Sequence, residues 1–155
     1  MNVREIGTEQ LDRVEELETL CFSVPWSRET LVYSIEDPTQ RWLGCFEGEK
    51  LIGYLNVQFV ADEGYVGNVA VDPGYRNRGA GIALMDELDR YASEHNIEKL
   101  MLEVRENNAP AIALYEKSGF ERVGFRPGYY DSPREGAVLM TKFLNKGEKN
   151  DYSGG

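Results

Sequence analysis

One stretch narrows the folds open to this chain more than any other, the run Asn-Val-Ala-Val-Asp-Pro-Gly-Tyr-Arg-Asn-Arg-Gly-Ala-Gly-Ile-Ala-Leu over residues 68–84. Val69, Ala70 and Val71 form a short apolar strand pattern, Asp72-Pro73-Gly74 signals a turn, and the helical spacing Leu84, Leu88, Tyr91 begins just after Gly81. The first turn of a helix leaves backbone N–H groups unpaired and carries roughly half a positive charge, so an anion docks there if side chains stay clear. Gly79 and Gly81 clear them, which makes residues 78–82 a phosphate cradle. No Lys-Ser/Thr follows, as an ATP-binding loop requires, and the third glycine of a dinucleotide fingerprint is missing. A Gly-rich turn without a ligand is the alternative reading.

The remaining pattern surrounds that unit with alternating elements. Val3 and Ile6 suggest a first strand, and Leu11, Val14, Leu17 and Cys21 recur as one face of a helix entered through Thr8. Pro25 separates it from a second helix that Ser27 caps, with Leu31 and Ile35 on one face and Pro38 beyond its end. Trp26, in the connection, either packs on the core or overhangs a cleft. Residues 41–46 and 51–60 read as a hairpin around the turn at 47–50, the second strand alternating strictly, and 65–71 as the third strand of an antiparallel meander. A helix over 81–94 closes at Asn96, with His95 a solvated helix-end residue.

Lys99–Arg105 is the next strand, with one acid, Glu103, interrupting its apolar run. Asn108 and Pro110 open a helix that Gly119 stops, with Tyr115 on the same face as Ala111 and Ile112. Strands over 120–125 and 137–143 then flank 126–133, which is too rich in Pro, Gly and polar residues to be strand throughout and so makes Tyr129 and Tyr130 loop residues. This order implies one domain with a mixed α/β sheet, in which the strand–helix–strand unit sets 66–71 parallel to 100–104 and ligands bind where the two part. Residues 145–155 carry almost no apolar content and are expected to be a mobile polar tail.

A formal net charge of −10 argues against general nucleic-acid binding and suits a basic partner. Cys21 and Cys45 with the single His95 support neither a disulfide scaffold nor a His/Cys metal site, and both thiols read as core residues. No apolar run approaches the ~20 residues of a membrane span. The first residues lack a signal-peptide pattern, so a cytoplasmic protein is expected.

The spacing Arg76-x-x-Gly79-x-Gly81 after Val-Ala-Val-Asp-Pro-Gly-Tyr resembles the acetyl-CoA signature of the GCN5-related N-acetyltransferases (GNAT). The run Leu102-Glu103-Val104-Arg105-x-Asn107-Asn108-x-x-Ala111-Ile112-x-Leu114-Tyr115-x-x-x-Gly119-Phe120, with Pro25-Trp26-Ser27 and Tyr129-Tyr130, resembles the RimI-type ribosomal-protein alanine N-acetyltransferases. The resemblance covers about residues 1–144 and implies the GNAT acyl-CoA N-acyltransferase fold. That fold has two N-terminal helices, an antiparallel meander, the strand–helix–strand CoA unit and a C-terminal hairpin. It implies acetyl-CoA as cosubstrate, without a metal, and transfer to the N-terminal Ala of a small ribosomal subunit protein, S18. Glu103 would be the base and Tyr115 the acid. Val69, Ala70, Val71, Arg76, Asn77, Arg78, Gly79, Ala80, Gly81, Ile82 and Asn108 would hold the cofactor, Val69 N–H polarising the thioester carbonyl. Trp26, Tyr129 and Tyr130 would border the peptide. Ala80 departs from the family, where a larger aliphatic side chain is common.

The chemistry suits these residue types. An α-amino group with a pKa near 8 is mostly protonated at neutral pH, and a carboxylate at the cleft takes its proton directly or through water. Three alternatives stay open at this point. Glu103 could be an ion-pair partner of Arg105 or Lys99 with Tyr115 merely packed, the acceptor could be another amine, or the chain could bind acyl-CoA without catalysis.

Overall fold

Residues 1–144 are described by the computed structural model, and the tail expected over 145–155 lies outside them. Among these residues the chain runs through β1 (Asn2–Glu5), α1 (Leu11–Cys21), α2 (Arg28–Glu36), β2 (Gln40–Glu47), β3 (Lys50–Val60) and β4 (Glu63–Val71). It continues through α3 (Ala80–Glu94), β5 (Lys99–Arg105), α4 (Ala109–Lys117), β6 (Glu121–Tyr130) and β7 (Glu135–Phe143). The strands hydrogen-bond in the order β1-β2-β3-β4-β5-β7-β6, a mixed and mostly antiparallel sheet. The backbone gathers into two units, residues 1–58 with 66–88, and residues 59–65 with those from 89 onward.

In the first unit the stripe Leu11, Val14 and Leu17 of α1 packs with Leu31, Trp42, Phe46, Leu51, Tyr54 and Ala70. Each large apolar side chain so buried contributes roughly 1.5–3 kcal/mol. Thr8 does not cap α1: a 3-10 turn, Thr8–Gln10, precedes it, and the Gln10 side chain accepts the Gly7 N–H at 2.8 Å. Ser27 does cap α2, its Oγ accepting from Thr30 N–H at 3.2 Å. The alternation along β3 does not divide core from solvent, since all of residues 51–57 are buried. The polar groups on its second face are satisfied inside instead. Tyr54 bonds to Glu18, while Asn56 donates to Gln40 at 3.1 Å and accepts the Asn68 N–H at 2.9 Å.

In the second unit β5 forms where its sequence predicts, with Leu100, Leu102 and Val104 buried. Its parallel register with β4 runs from Glu63↔Lys99 to Tyr65↔Met101, earlier on both strands than expected. Gly64 accounts for the close approach there, because an added Cβ would lie 2.7 Å from Leu100 Cδ2. α4 is capped by Asn108 Oδ1, which accepts from Ala111 N–H at 3.2 Å, and Gly119 at φ +100° follows its end. Asn96 takes the left-handed conformation after α3, and the exposed His95 ring stacks on Tyr91 at 3.9 Å.

A further assignment is overturned. Tyr129 and Tyr130 are not loop residues: β6 continues to Tyr130. The strand passes Pro127 and Gly128 (φ +60°) through a register irregularity between Arg126↔Ala137 and Tyr130↔Glu135. A proline without an N–H is tolerated where the ladder is already interrupted. The turn is held from outside by Arg105. Its guanidinium donates to Asp131 O and Pro133 O, each at 2.8 Å, and pairs with Glu135 at 3.0 Å.

Candidate active site

In the first unit β4 delivers Val69, Ala70 and Val71 into a turn organised by Asp72. The Asp72 carboxylate accepts the Gly74 N–H at 2.8 Å and Arg13 Nη2 at 2.6 Å, and these two partners hold its pKa below the ordinary 3.8. Asn77 at φ +64° and Gly79 at φ +91° then swing the backbone into α3, whose first residue is Ala80 rather than Gly81. Ala83 N–H bonds to Gly79 O at 2.9 Å, which makes Gly79 the cap and leaves the N–H groups of Ala80, Gly81 and Ile82 without an acceptor in the helix. A Cβ built on Gly79 meets nothing within 4 Å, so there is room beside those donors. The arrangement fits an anionic group such as a diphosphate.

Both arginines of this turn have partners on the protein. Arg76 Nε donates to Val71 O at 3.1 Å with Nη2 3.7 Å from Cys21 Sγ, and Arg78 lies 4.9 Å over the Tyr75 ring. Val71, whose backbone the resemblance assigns to the cofactor, thus has its carbonyl engaged by Arg76. Ala80 is buried, so its small side chain sets the packing under the cradle. Cys45 is a core residue as expected, but Cys21 is only partly buried, and burial nonetheless raises its pKa. Trp26 packs edge-on against Trp42, centroids 6.4 Å apart, and its backbone N–H donates to Glu18 Oε1 at 2.8 Å.

In the second unit Glu103 is exposed between the buried Leu102 and Val104. Neither neighbouring base takes its carboxylate: Lys99 pairs with Glu63 at 3.4 Å and Arg105 with Glu135. The Glu103 carboxylate interacts with the Tyr129 hydroxyl, and that interaction raises the Tyr129 pKa. Tyr130 is half-buried under the Arg105 guanidinium, 4.4 Å from the ring, and burial with the nearby Glu103 charge pushes its pKa up to about 12. Tyr115 is buried in α4, and burial followed by the proximity of Tyr130 raises its pKa, keeping it a proton donor at neutral pH. One carboxylate and three phenols therefore stand together on β5, β6 and α4. Asn108 belongs to this unit, its side-chain oxygen engaged in the α4 cap.

Sequence reasoning missed two groups. Glu18 is 1% exposed on α1 and accepts from Tyr54, from Asn68 Nδ2 at 2.8 Å and from Trp26 N–H. A signal existed: Glu18 lies four residues after Val14 and three before Cys21, on the apolar stripe itself. The Arg105–Glu135 clamp, which also takes Asn107 N–H on Glu135 at 3.0 Å, joins residues 30 apart and leaves no local trace. Among the described residues no group of three or more His, Cys, Asp or Glu is placed to hold a metal, and no helix is long and apolar enough to cross a membrane.

Residues 11–120 match the Acetyltransferase (GNAT) family. A ribosomal protein bS18-alanine N-acetyltransferase of Haemophilus influenzae is 36% identical over 147 residues, spanning 92% of this chain and 98% of that protein. A Bacillus subtilis protein described as a putative enzyme of the same activity is 32% identical over 145 residues, 93% of this chain and 96% of that one. The crystal structure of the ribosomal-protein-S18-alanine N-acetyltransferase from Escherichia coli superposes with a TM-score of 0.88 at 31% identity, covering 93% of this chain and 94% of that one.

Proposed function

The chain belongs to the GNAT acetyltransferase family, and from that premise we propose that it moves the acetyl group of acetyl-CoA onto the α-amino group of an N-terminal alanine, that of ribosomal protein bS18. The observation that carries this reading is the exposed Glu103 carboxylate between buried Leu102 and Val104, with Arg105 and Lys99 paired to other acids and its charge felt by Tyr129 and Tyr130. It is joined by the similarity to bS18-alanine N-acetyltransferases over more than nine-tenths of the chain. A soluble cytoplasmic setting goes with the reading.

The first unit's residues serve the donor. The N–H groups of Ala80, Gly81 and Ile82 receive the pyrophosphate, and the Val69 N–H polarises the thioester carbonyl and steadies the oxyanion. The second unit's residues serve proton transfer. Glu103 takes the proton from the alanine ammonium, directly or through water, the neutral nitrogen attacks the carbonyl carbon, and Tyr115 gives its proton to the departing sulfur. Trp26, Tyr129 and Tyr130 border the acceptor peptide.

The test is thiol release and product mass with acetyl-CoA and short peptides that differ in their first residue. A peptide with the bS18 N-terminal sequence, beginning with Ala, should be acetylated on its α-amine far faster than the same peptide with that amine blocked. Acetylation only of lysine side chains or small amines would overturn the acceptor, and no turnover of any amine would overturn the reaction.

A further inference from the structure

Three donors from three different segments converge on the buried carboxylate of Glu18, and they divide between its two oxygens. Oε2 accepts the Tyr54 hydroxyl from β3 and the Asn68 Nδ2 from β4, the latter at 2.8 Å. Oε1 accepts the Trp26 backbone N–H at 2.8 Å. The Trp26 ring leads back to the same place, because it meets Trp42 edge-on and the Trp42 ring lies 5.4 Å from that of Tyr54. Asn68 is held a second time through its own backbone N–H, which donates to Asn56 Oδ1 at 2.9 Å. Gly67 makes room for that bond: a Cβ there would lie 2.6 Å from Asn56 Oδ1. The residue before Val69 is thus fixed by two side chains, one from α1 and one from β3.

Stability alone does not call for this arrangement. Glu18 sits on the apolar stripe of α1, 1% exposed, where a hydrophobic side chain among apolar neighbours would pack without the cost of burying a charge. A multiply bonded acid supplies direction instead, since hydrogen bonds fix angles that dispersion contacts leave loose. Resting on the reading of the Val69 N–H as the oxyanion donor and of Trp26 as a border of the acceptor peptide, we propose that Glu18 is a positioning residue for both substrates. Oε2, through Asn68, sets the Val69 N–H at the thioester carbonyl, and Oε1 sets the Trp26 backbone against which the peptide lies. Glu18 is buried and acts through these two neighbours, so the donor strand and the acceptor border share one anchor.

The two arms can be cut one at a time. Asn68→Ala removes the donor arm and leaves Glu18 its bonds to Tyr54 and Trp26. Glu18→Gln has one carbonyl for three donors; turned toward Tyr54 and Asn68 it keeps two of them, and its amide then faces the Trp26 N–H, which cuts the acceptor arm. Tyr54→Phe removes a bond to the same carboxylate while leaving both arms in place, so it reports what loss of a structural bond does by itself.

The experiment is steady-state kinetics with acetyl-CoA and a peptide of the bS18 N-terminal sequence, with acetyl-CoA Kd and thermal midpoint, for wild type and these three variants. Asn68→Ala should lose roughly tenfold in kcat, part of the roughly 10²- to 10³-fold that deleting an oxyanion donor costs, with peptide KM and acetyl-CoA Kd unchanged. Glu18→Gln should raise the peptide KM roughly two- to tenfold with kcat nearly kept. Tyr54→Phe should melt lower and turn over like wild type. Wild-type kcat in Asn68→Ala, or wild-type peptide KM in Glu18→Gln, overturns the proposal, as does a Tyr54→Phe protein whose kcat and KM change as much as theirs. If wild type itself acetylates no alanine peptide, the reading of the reaction falls and this inference with it. If wild type acetylates the peptide and the variants differ from it only in thermal midpoint, the positioning role alone falls.

Discussion

The carboxylate of Glu18 accepts a 2.8 Å hydrogen bond from the side-chain amide of Asn68, the residue immediately before Val69. The same carboxylate takes the Tyr54 hydroxyl and the Trp26 backbone N–H. One buried acid thereby ties α1 to β3, to the proposed donor strand and to the connection before α2.

Removing that acid should be costly. Glu18→Ala leaves the donors of Tyr54, Asn68 and Trp26 without an acceptor, and each buried unpaired group costs about 1–3 kcal/mol. A loss of roughly 3 kcal/mol or more is expected in urea denaturation, with Tyr54→Phe losing less because it removes a donor and leaves Glu18 two others. A Glu18→Ala loss under about 1 kcal/mol would contradict the role assigned to the network.

Acid should weaken the Asp72 turn. Its folded-state pKa is lowered by the Gly74 N–H and by Arg13, so the folded chain binds this proton less readily than the unfolded chain. Its contribution to stability is therefore fully present above the ordinary carboxylate value of about 4 and is lost as pH falls through the folded-state value. Urea midpoints from pH 6 down to pH 3 should fall less steeply for Asp72→Asn than for wild type; parallel curves would show that the turn does not carry this linkage.

Acetyl-CoA at a hundredfold excess over its Kd should stabilise the wild type by about 2.7 kcal/mol. Gly79→Val should abolish that gain and also lower intrinsic stability by roughly 1–2 kcal/mol, since φ +91° strains any side chain. A folded Gly79→Val protein with a wild-type ligand shift would place the anion elsewhere.

The clamp on the β6–β7 turn should matter to the acceptor and not to the donor. Arg105→Met releases Asp131 O, Pro133 O and Glu135 and unseats Tyr130, so the peptide KM should rise several-fold while acetyl-CoA affinity holds. Tyr129→Ala with Tyr130→Ala should do the same. Unchanged peptide KM in both would reduce the hairpin to a packed plug.

What could be read in advance was what short-range chemistry decides. Asn108 and Pro110 announced α4, Gly119 its end, Ser27 the start of α2, and the alternation of Leu100, Leu102 and Val104 fixed β5 to the residue. Glu103 stood out because it was the one acid interrupting an apolar run. Hidden were features that depend on distant partners. β6 extends to Tyr130 because β7 and Arg105 hold a stretch whose Pro and Gly content signals a loop. The buried face of β3 could not be told from a solvated one, because Tyr54 and Asn56 are satisfied by Glu18, Gln40 and Asn68, 12 to 36 residues away. The helix stripe of α1 was visible, but Glu18 on it read as one more charge among many.

The most direct test of the account is the pH dependence of Glu103→Gln. Glutamine keeps the shape but cannot take the amine's proton. A positioned base contributes about 10²- to 10⁴-fold, so kcat at pH 7 should fall by that order with acetyl-CoA affinity retained. The deficit should narrow above pH ~8, where solvent delivers the neutral amine unaided. A variant that turns over like wild type at pH 7, or one that loses acetyl-CoA affinity and thermal stability together, would contradict the assignment of Glu103 as the base.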